Sequence, residues 1–110
     1  MHDTHLPKII KIDALENGAQ THYKNENSDE ACDEFIVSEN QIYTFFKKAK
    51  RVSREETHHK LDWSPCYAAG TLTFKNQTTA QWKIRRYQTG TLRFENGKEI
   101  LLYCPNCKEQ

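Results

Sequence analysis

The heptapeptide Gly70-Thr71-Leu72-Thr73-Phe74-Lys75-Asn76 returns twenty residues later as Gly90-Thr91-Leu92-Arg93-Phe94-Glu95-Asn96, with five of the seven positions identical. In each copy Leu and Phe stand two apart, so they share one face of a strand, because successive side chains of a strand point to opposite sides. After the second copy, Asn96-Gly97 separates Leu92 and Phe94 from Ile100 and Leu102. Asn-Gly is the favoured pair for a two-residue hairpin turn, whose central residues both need positive φ. After the first copy, Asn76-Gln77 takes the turn position, and Ala80, Trp82 and Ile84 alternate along a return strand with Lys83, Arg85 and Tyr87 on its other face. The spacing predicts a four-stranded antiparallel meander over about 66–104, with strands near 66–75, 79–87, 90–95 and 98–104, built as two duplicated hairpins. A solenoid needs about three or more repeats, so two copies argue for duplication within one fold.

The apolar face of such a meander needs a cover. Upstream, Ser38-Glu39-Asn40-Gln41 fits a capping box, and Ile42, Phe45, Phe46 and Ala49 follow at helical spacing. Lys47, Lys48 and Lys50 gather toward the end of that stretch, where cations complement the helix dipole. One main helix over about 39–50 lying on the sheet gives an α+β, two-layer architecture. Pro7 to Asp13 holds three Ile in four positions and ends before Asn17-Gly18, which predicts a short N-terminal strand over about 8–13. The polar stretch 14–34, with Gly18 and several Asn, reads as a long, mobile acidic loop with a helical turn near Asp29 to Glu34. Arg54 to Lys60 suits a further helical turn, ended by Ser64-Pro65.

At 110 residues, with 36% apolar and 28% charged positions and seven Gly plus Pro, the chain reads as a single α+β domain, 1–110, with a small core. Its longest apolar run, Ile100 to Cys104, is five residues against the roughly 20 of a membrane span, and residues 1–5 lack the apolar stretch of an export signal. The expectation is a soluble, cytoplasmic protein without membrane contact. The net charge of +1 hides a division: residues 13–39 carry eight acids against one base, and residues 40–110 carry thirteen bases against six acids. The two parts either neutralise each other on the folded surface, or one of them steers a partner of opposite sign.

Four cysteines, Cys32, Cys66, Cys104 and Cys107, in a chain read as cytoplasmic favour ordinary thiols or a metal over disulfides. Cys104-Pro105-Asn106-Cys107 has zinc-knuckle spacing but supplies only half a site, with Cys66, Cys32 or His58-His59 left to complete it. Geometry opposes the Cys66 completion, since Cys66 opens the first strand of the meander and Cys104 closes the fourth, about three strand spacings of ~4.8 Å away. A redox role for the Cys-x-x-Cys is weakened by its place after a strand. No cofactor is expected, with structural zinc on Cys104, Cys107 and Cys66 as the alternative.

Glu55-Glu56-Thr57-His58-His59-Lys60 holds the residue types of acid–base catalysis, but adjacent His side chains point about 100° apart on a helix, so a solvated turn explains the segment. Lys47, Lys48, Lys50, Arg51, Arg54, Lys83, Arg85, Arg86 and Arg93 interleave with Tyr43, Tyr67 and Tyr87, a weak pattern for single-stranded nucleic acid in a chain of pI about 7.7. Asp62-Trp63-Ser64-Pro65-Cys66-Tyr67 reads as architecture: a cap, an aromatic closing the core's end, and a proline where a strand begins.

That hexapeptide, with Ser53, Leu61, Gly70 to Phe74, Trp82, Gly90 to Leu92 and Leu102-Tyr103-Cys104-Pro105, resembles a group of small uncharacterised bacterial proteins over about residues 38–107. The resemblance implies a compact α+β domain in a bacterium and assigns no activity. In profile, the chain is also similar to immunity proteins of contact-dependent and polymorphic toxins. The leading expectation is therefore a non-enzymatic interaction protein, an immunity-type inhibitor. Its acidic residues Glu26, Asp29, Glu30, Asp33, Glu34 and Glu39 would occupy the basic site of a nuclease-like toxin domain. The alternative is a zinc-stabilised module binding protein or nucleic acid; a small His-dependent enzyme ranks last.

Overall fold

The computed structural model describes residues 4–21, 31–55 and 64–107. The predicted meander is present as β3 (Cys66–Phe74), β4 (Thr79–Arg85), β5 (Thr89–Phe94) and β6 (Glu99–Tyr103). Two strands extend it at its edges, β1 (Ile9–Gln20) beside β3 and β2 (Lys50–Val52) beside β6. The result is one antiparallel sheet of six described strands in the order β1-β3-β4-β5-β6-β2.

The helix α1 (Glu39–Lys48) begins where the capping box places it. The Ser38 hydroxyl accepts from the Gln41 N–H at 3.1 Å, and the Gln41 side chain accepts from the Ser38 N–H at 2.7 Å. Its stripe of Ile42, Phe45 and Phe46 is buried against the sheet, where Leu72, Phe74, Trp82, Leu92 and Leu102 are also almost fully withdrawn from water. Burying a side chain of this size contributes about 1.5–3 kcal/mol, so these few residues dominate the stability of a small domain. Phe46 meets Phe45 and Trp82 edge-on, at ring-centre distances of 5.1 and 6.2 Å. The Trp82 indole N–H donates to the Thr71 carbonyl at 3.1 Å, so this buried aromatic leaves no donor unsatisfied.

Three expectations are corrected. The N-terminal strand does not stop near residue 13 but runs twelve residues to Gln20, so Ala14 to Gln20 is sheet and not loop. It crosses Asn17-Gly18 because β1 is irregular: its register against β3 shifts between Ile9 and Lys11, Ala14 and Glu16, and Glu16 and Ala19, and Gly18 takes φ +61°. Such bulges let a strand carry residues that ordinarily punctuate it. The second correction concerns the turns. Asn76-Gln77 and Asn96-Gly97 do not form two-residue turns, since only Gln77 (φ 69°) and Gly97 (φ 87°) are left-handed, each after a tight turn in which Gln77 N–H donates to Phe74 O at 2.8 Å and Gly97 N–H to Phe94 O at 2.9 Å. That is the three-residue hairpin connection, which needs positive φ at one position only.

The third correction concerns sulfur. Cys32 is bonded to Cys66 and Cys104 to Cys107, so the four residues are two disulfides and not the thiols or zinc ligands expected. Cys66 and Cys104 do lie at the same end of the sheet, with β4 and β5 between them. Each finds a nearer partner: Cys32 arrives with its Cα 4.8 Å from that of Cys66, and Cys107 folds back to 5.4 Å from Cys104. Among the described residues no group of three or more His, Cys, Asp or Glu side chains is arranged to hold a metal.

Candidate functional site

The acidic segment is built into the fold. Cys32–Glu34 forms a short 3-10 turn that the Cys32–Cys66 disulfide ties to β3. Asn17 ties the following residues to β1: its side-chain amide donates to Val37 O at 2.8 Å, and its carbonyl oxygen accepts from Val37 N–H at 3.0 Å. This two-way pairing imitates a backbone ladder. Gly18 allows the close approach, since a Cβ there would stand 2.8 Å from Ile36 Cδ1 and 3.3 Å from Asp33 Cα. Phe35 and Val37 are buried, while Asp33, Glu34 and Ile36 face solvent, Ile36 at 49% exposure. Glu39 is exposed in the first turn of α1. Of the six acidic residues predicted to bind a partner, Asp33, Glu34 and Glu39 are thus held on a fixed shoulder, and Glu26, Asp29 and Glu30 lie outside the described residues.

Beside this shoulder the chain turns from β4 into β5 through Arg86-Tyr87-Gln88, with Tyr87 at φ 71° and Gln88 at φ 67°. Left-handed backbone costs a side-chain-bearing residue roughly 1–2 kcal/mol and persists only where its surroundings impose it. The surroundings are the two disulfides. Arg86 N–H donates to Cys66 O at 3.1 Å, Cys104 N–H donates to Gln88 O at 3.0 Å, and the Gln88 side-chain amide donates to Cys107 O. Arg86 also lays its guanidinium 5.7 Å from the centre of the Phe35 ring, linking the turn to the acidic shoulder. Residue-by-residue reading did not single out this turn. The signal was there in negative form, since Arg85-Arg86-Tyr87-Gln88 joins two strands without a Gly, Asn, Asp or Pro.

The sheet face away from α1 carries a third cluster. The Tyr67 hydroxyl donates to Glu16 Oε2 at 2.9 Å, the Lys83 ammonium sits 4.5 Å from the Tyr67 ring centre, and the Arg85 guanidinium sits 5.5 Å from it. The hydrogen bond to Glu16, aided by burial, raises the Tyr67 phenol above its ordinary value, because ionisation would end the donation and set two anions together. Burial, followed by the neighbouring Arg85 charge, lowers the Lys83 ammonium. A depression of about 370 Å³ between Glu16, Thr71, Gln81, Lys83, Arg93 and Glu99 lies on this face, and Arg93 and Glu99 pair across it at 3.3 Å.

The remaining predicted residues are dispersed. The basic and aromatic side chains do not form one track: Lys47 stacks on Tyr43 of α1 at 5.7 Å, Lys50 and Arg51 lie on β2, and Lys83 and Arg85 belong to the Tyr67 cluster. Asp62 and Trp63 lie outside the described residues, as do His58 and His59. Ser64 is buried and accepts from the Cys66 N–H at 3.1 Å, and Pro65 O accepts from the Thr21 N–H at 2.8 Å, so this end of the hexapeptide is architecture. No family model, no curated protein and no solved structure matches this chain.

Proposed function

We propose that the protein is a disulfide-stabilised binding module, an immunity-type inhibitor whose acidic shoulder of Asp33, Glu34 and Glu39 engages the basic site of a nuclease-like protein partner. The observation that carries this reading is the double anchoring of the shoulder by Cys32–Cys66 and by the Asn17–Val37 pairing. A segment that is only a solvated charge run has no reason to be fixed from both sides. Fixing it removes the ordering cost that a flexible acidic loop would bear on association, and it holds the exposed Asp33 and Glu34 near the exposed Ile36 in the chain. An exposed apolar side chain beside charges can give a contact both a water-free centre and electrostatic steering. The disulfides extend the proposal to a non-reducing compartment, in place of the cytoplasm expected from the sequence, since cystines persist where thiols are not kept reduced.

The test is co-purification from the native host at low ionic strength, comparing the parent chain with Asp33→Lys/Glu34→Lys. The parent is expected to bring down a basic protein in stoichiometric amount, with an association rate that falls steeply as salt is added. The reversed variant should lose it while melting at the parent's temperature. Equal recovery by both chains, or salt-independent association, would remove the acidic shoulder from the interface.

A further inference from the structure

Among the described residues β1 ends the sheet, and one of its edges has no strand beside it. The C-terminal part of that edge is occupied, because Asn17 and Gly18 receive residues 32–37. Along Ile9 to Leu15 no described strand lies against this edge, and the stretch holds the two most exposed large apolar side chains of the described residues, Ile10 at 56% and Leu15 at 73%. A groove of about 390 Å³ runs along Ile9 to Ile12, with Glu39, Asn40 and Tyr43 of α1 on its other bank. Open strand edges recruit further strands, and proteins ordinarily guard them with charge. Here the charges are arranged differently.

We propose that this edge pairs with the same edge of a second copy of the chain, antiparallel, about a twofold axis through Ile12. In an antiparallel pair, hydrogen-bonded and non-hydrogen-bonded positions alternate, so a twofold axis passes through a residue and never between two. An axis at Ile12 is the centre of the stretch 9–15. Within the regular run 11–14, between the register shifts at Ile10 and Leu15, it sets Lys11 of each copy opposite Asp13 of the other, with Ile12 on the axis. Moving the axis by one residue sets Lys11 against Lys11 or Asp13 against Asp13. One register is therefore complementary and its two neighbours are repulsive, which is how a strand edge specifies a single partner alignment. Lys11 and Asp13 lie on one face and already reach each other within the strand, at 3.8 Å, with side chains 67% and 44% exposed, so both are available to a facing copy. The other sheet edge, the three-residue β2 with exposed Lys50 and Arg51, offers no such pattern.

The groove shares Glu39 with the acidic shoulder, but the pairing rests on Lys11 and Asp13 and is tested without any other protein, by sedimentation equilibrium of the oxidised full chain over a wide concentration range. The parent is expected to form a dimer. Lys11→Asp replaces two attractive contacts per dimer with two repulsive ones and should weaken association by at least about tenfold. The exchange Lys11→Asp/Asp13→Lys restores opposite charge in the same register and should recover the parent's dimer. Circular dichroism on each variant separates loss of pairing from loss of folding, and Ile10→Lys, at an exposed position, gives a second route to a weakened dimer. A monomeric parent at every concentration would overturn the proposal, as would a dimer indifferent to Lys11→Asp or one that the exchange fails to restore.

Discussion

The two hairpins carry the same heptapeptide, yet their glycines do different work. Gly70 faces the backbone of β1: a Cβ built there would lie 1.8 Å from the carbonyl oxygen of Asp13. Gly90, twenty residues on, faces α1: a Cβ there would lie 2.8 Å from the Phe45 ring and 2.8 Å from the Lys83 carbonyl oxygen. One absent side chain lets a bulged edge strand join the sheet, and the other lets the covering helix come down on it. The repeat places the two glycines at equivalent positions, and the elements packed around them make the positions unequal.

Exchanging each glycine for alanine separates the roles, and the largest effect is expected here. A carbonyl oxygen fixed in a ladder cannot move aside, so Gly70→Ala should cost about 5 kcal/mol, or release β1 from the sheet altogether. At Gly90 the Phe45 ring can turn, and the Lys83 carbonyl is met at 2.8 Å where Asp13 O is met at 1.8 Å, so Gly90→Ala should cost less, about 3 kcal/mol. Urea denaturation reads both, and hydrogen exchange at Ile12 and Asp13 reports whether β1 has detached. Equal costs would mean that β1 yields as readily as a side chain.

The repeat also marks what the sequence makes legible. The four strands and α1 follow from local patterns: Leu and Phe two apart, Trp82 and Ile84 in alternation, and Ser38 three residues ahead of Gln41. The length of β1 does not, because Asn17-Gly18 is a turn signature, and only the distant residues Val37, Ile36 and Asp33 convert it into an anchoring point. β2 is three residues whose pairing with Leu101 to Tyr103 no local pattern announces. The disulfides escaped for a similar reason: the bond between Cys32 and Cys66 spans 34 positions, and an expectation about compartment pointed to thiols instead. The acidic composition of 26–39 was legible in the sequence, whereas the anchoring of 32–37 to β1 and β3 was not.

Each hairpin also has its own cystine, and the next comparison uses them. Cys66 in the first hairpin closes a loop of separation 34, whereas Cys104 at the end of the second closes one of separation 3. A cross-link stabilises chiefly by restricting the unfolded chain, and more so for longer loops. Cys32→Ala/Cys66→Ala is therefore expected to cost about 4 kcal/mol and Cys104→Ala/Cys107→Ala about 2 kcal/mol. The first double variant should also loosen the acidic shoulder, read as faster hydrogen exchange at Phe35 and Val37, while the second leaves it unchanged. A shoulder unaffected by loss of Cys32–Cys66 would place its rigidity wholly on Asn17.

The smallest difference is the cleanest. Both hairpins turn through the same hydrogen bonds: Phe74 N–H donates to Thr78 O and Phe94 N–H to Lys98 O, both at 2.8–2.9 Å, and Asn76 and Asn96 each accept from the N–H two residues on. Their left-handed residues differ, Gln77 in one and Gly97 in the other. Left-handed backbone costs a glutamine roughly 1–2 kcal/mol, and part of that is offset because glycine gives up about 0.5–1 kcal/mol more in backbone freedom on folding. Gln77→Gly should therefore stabilise the protein by about 0.5–1 kcal/mol, and Gly97→Gln should destabilise it by the same amount, both read from thermal melts. Equal and opposite shifts would show that the two turns are energetically interchangeable. A Gln77→Gly variant that gains nothing would show instead that the Gln77 side chain contributes in the folded state what its backbone costs, and that the first hairpin has been adapted at its turn as well as at its glycine.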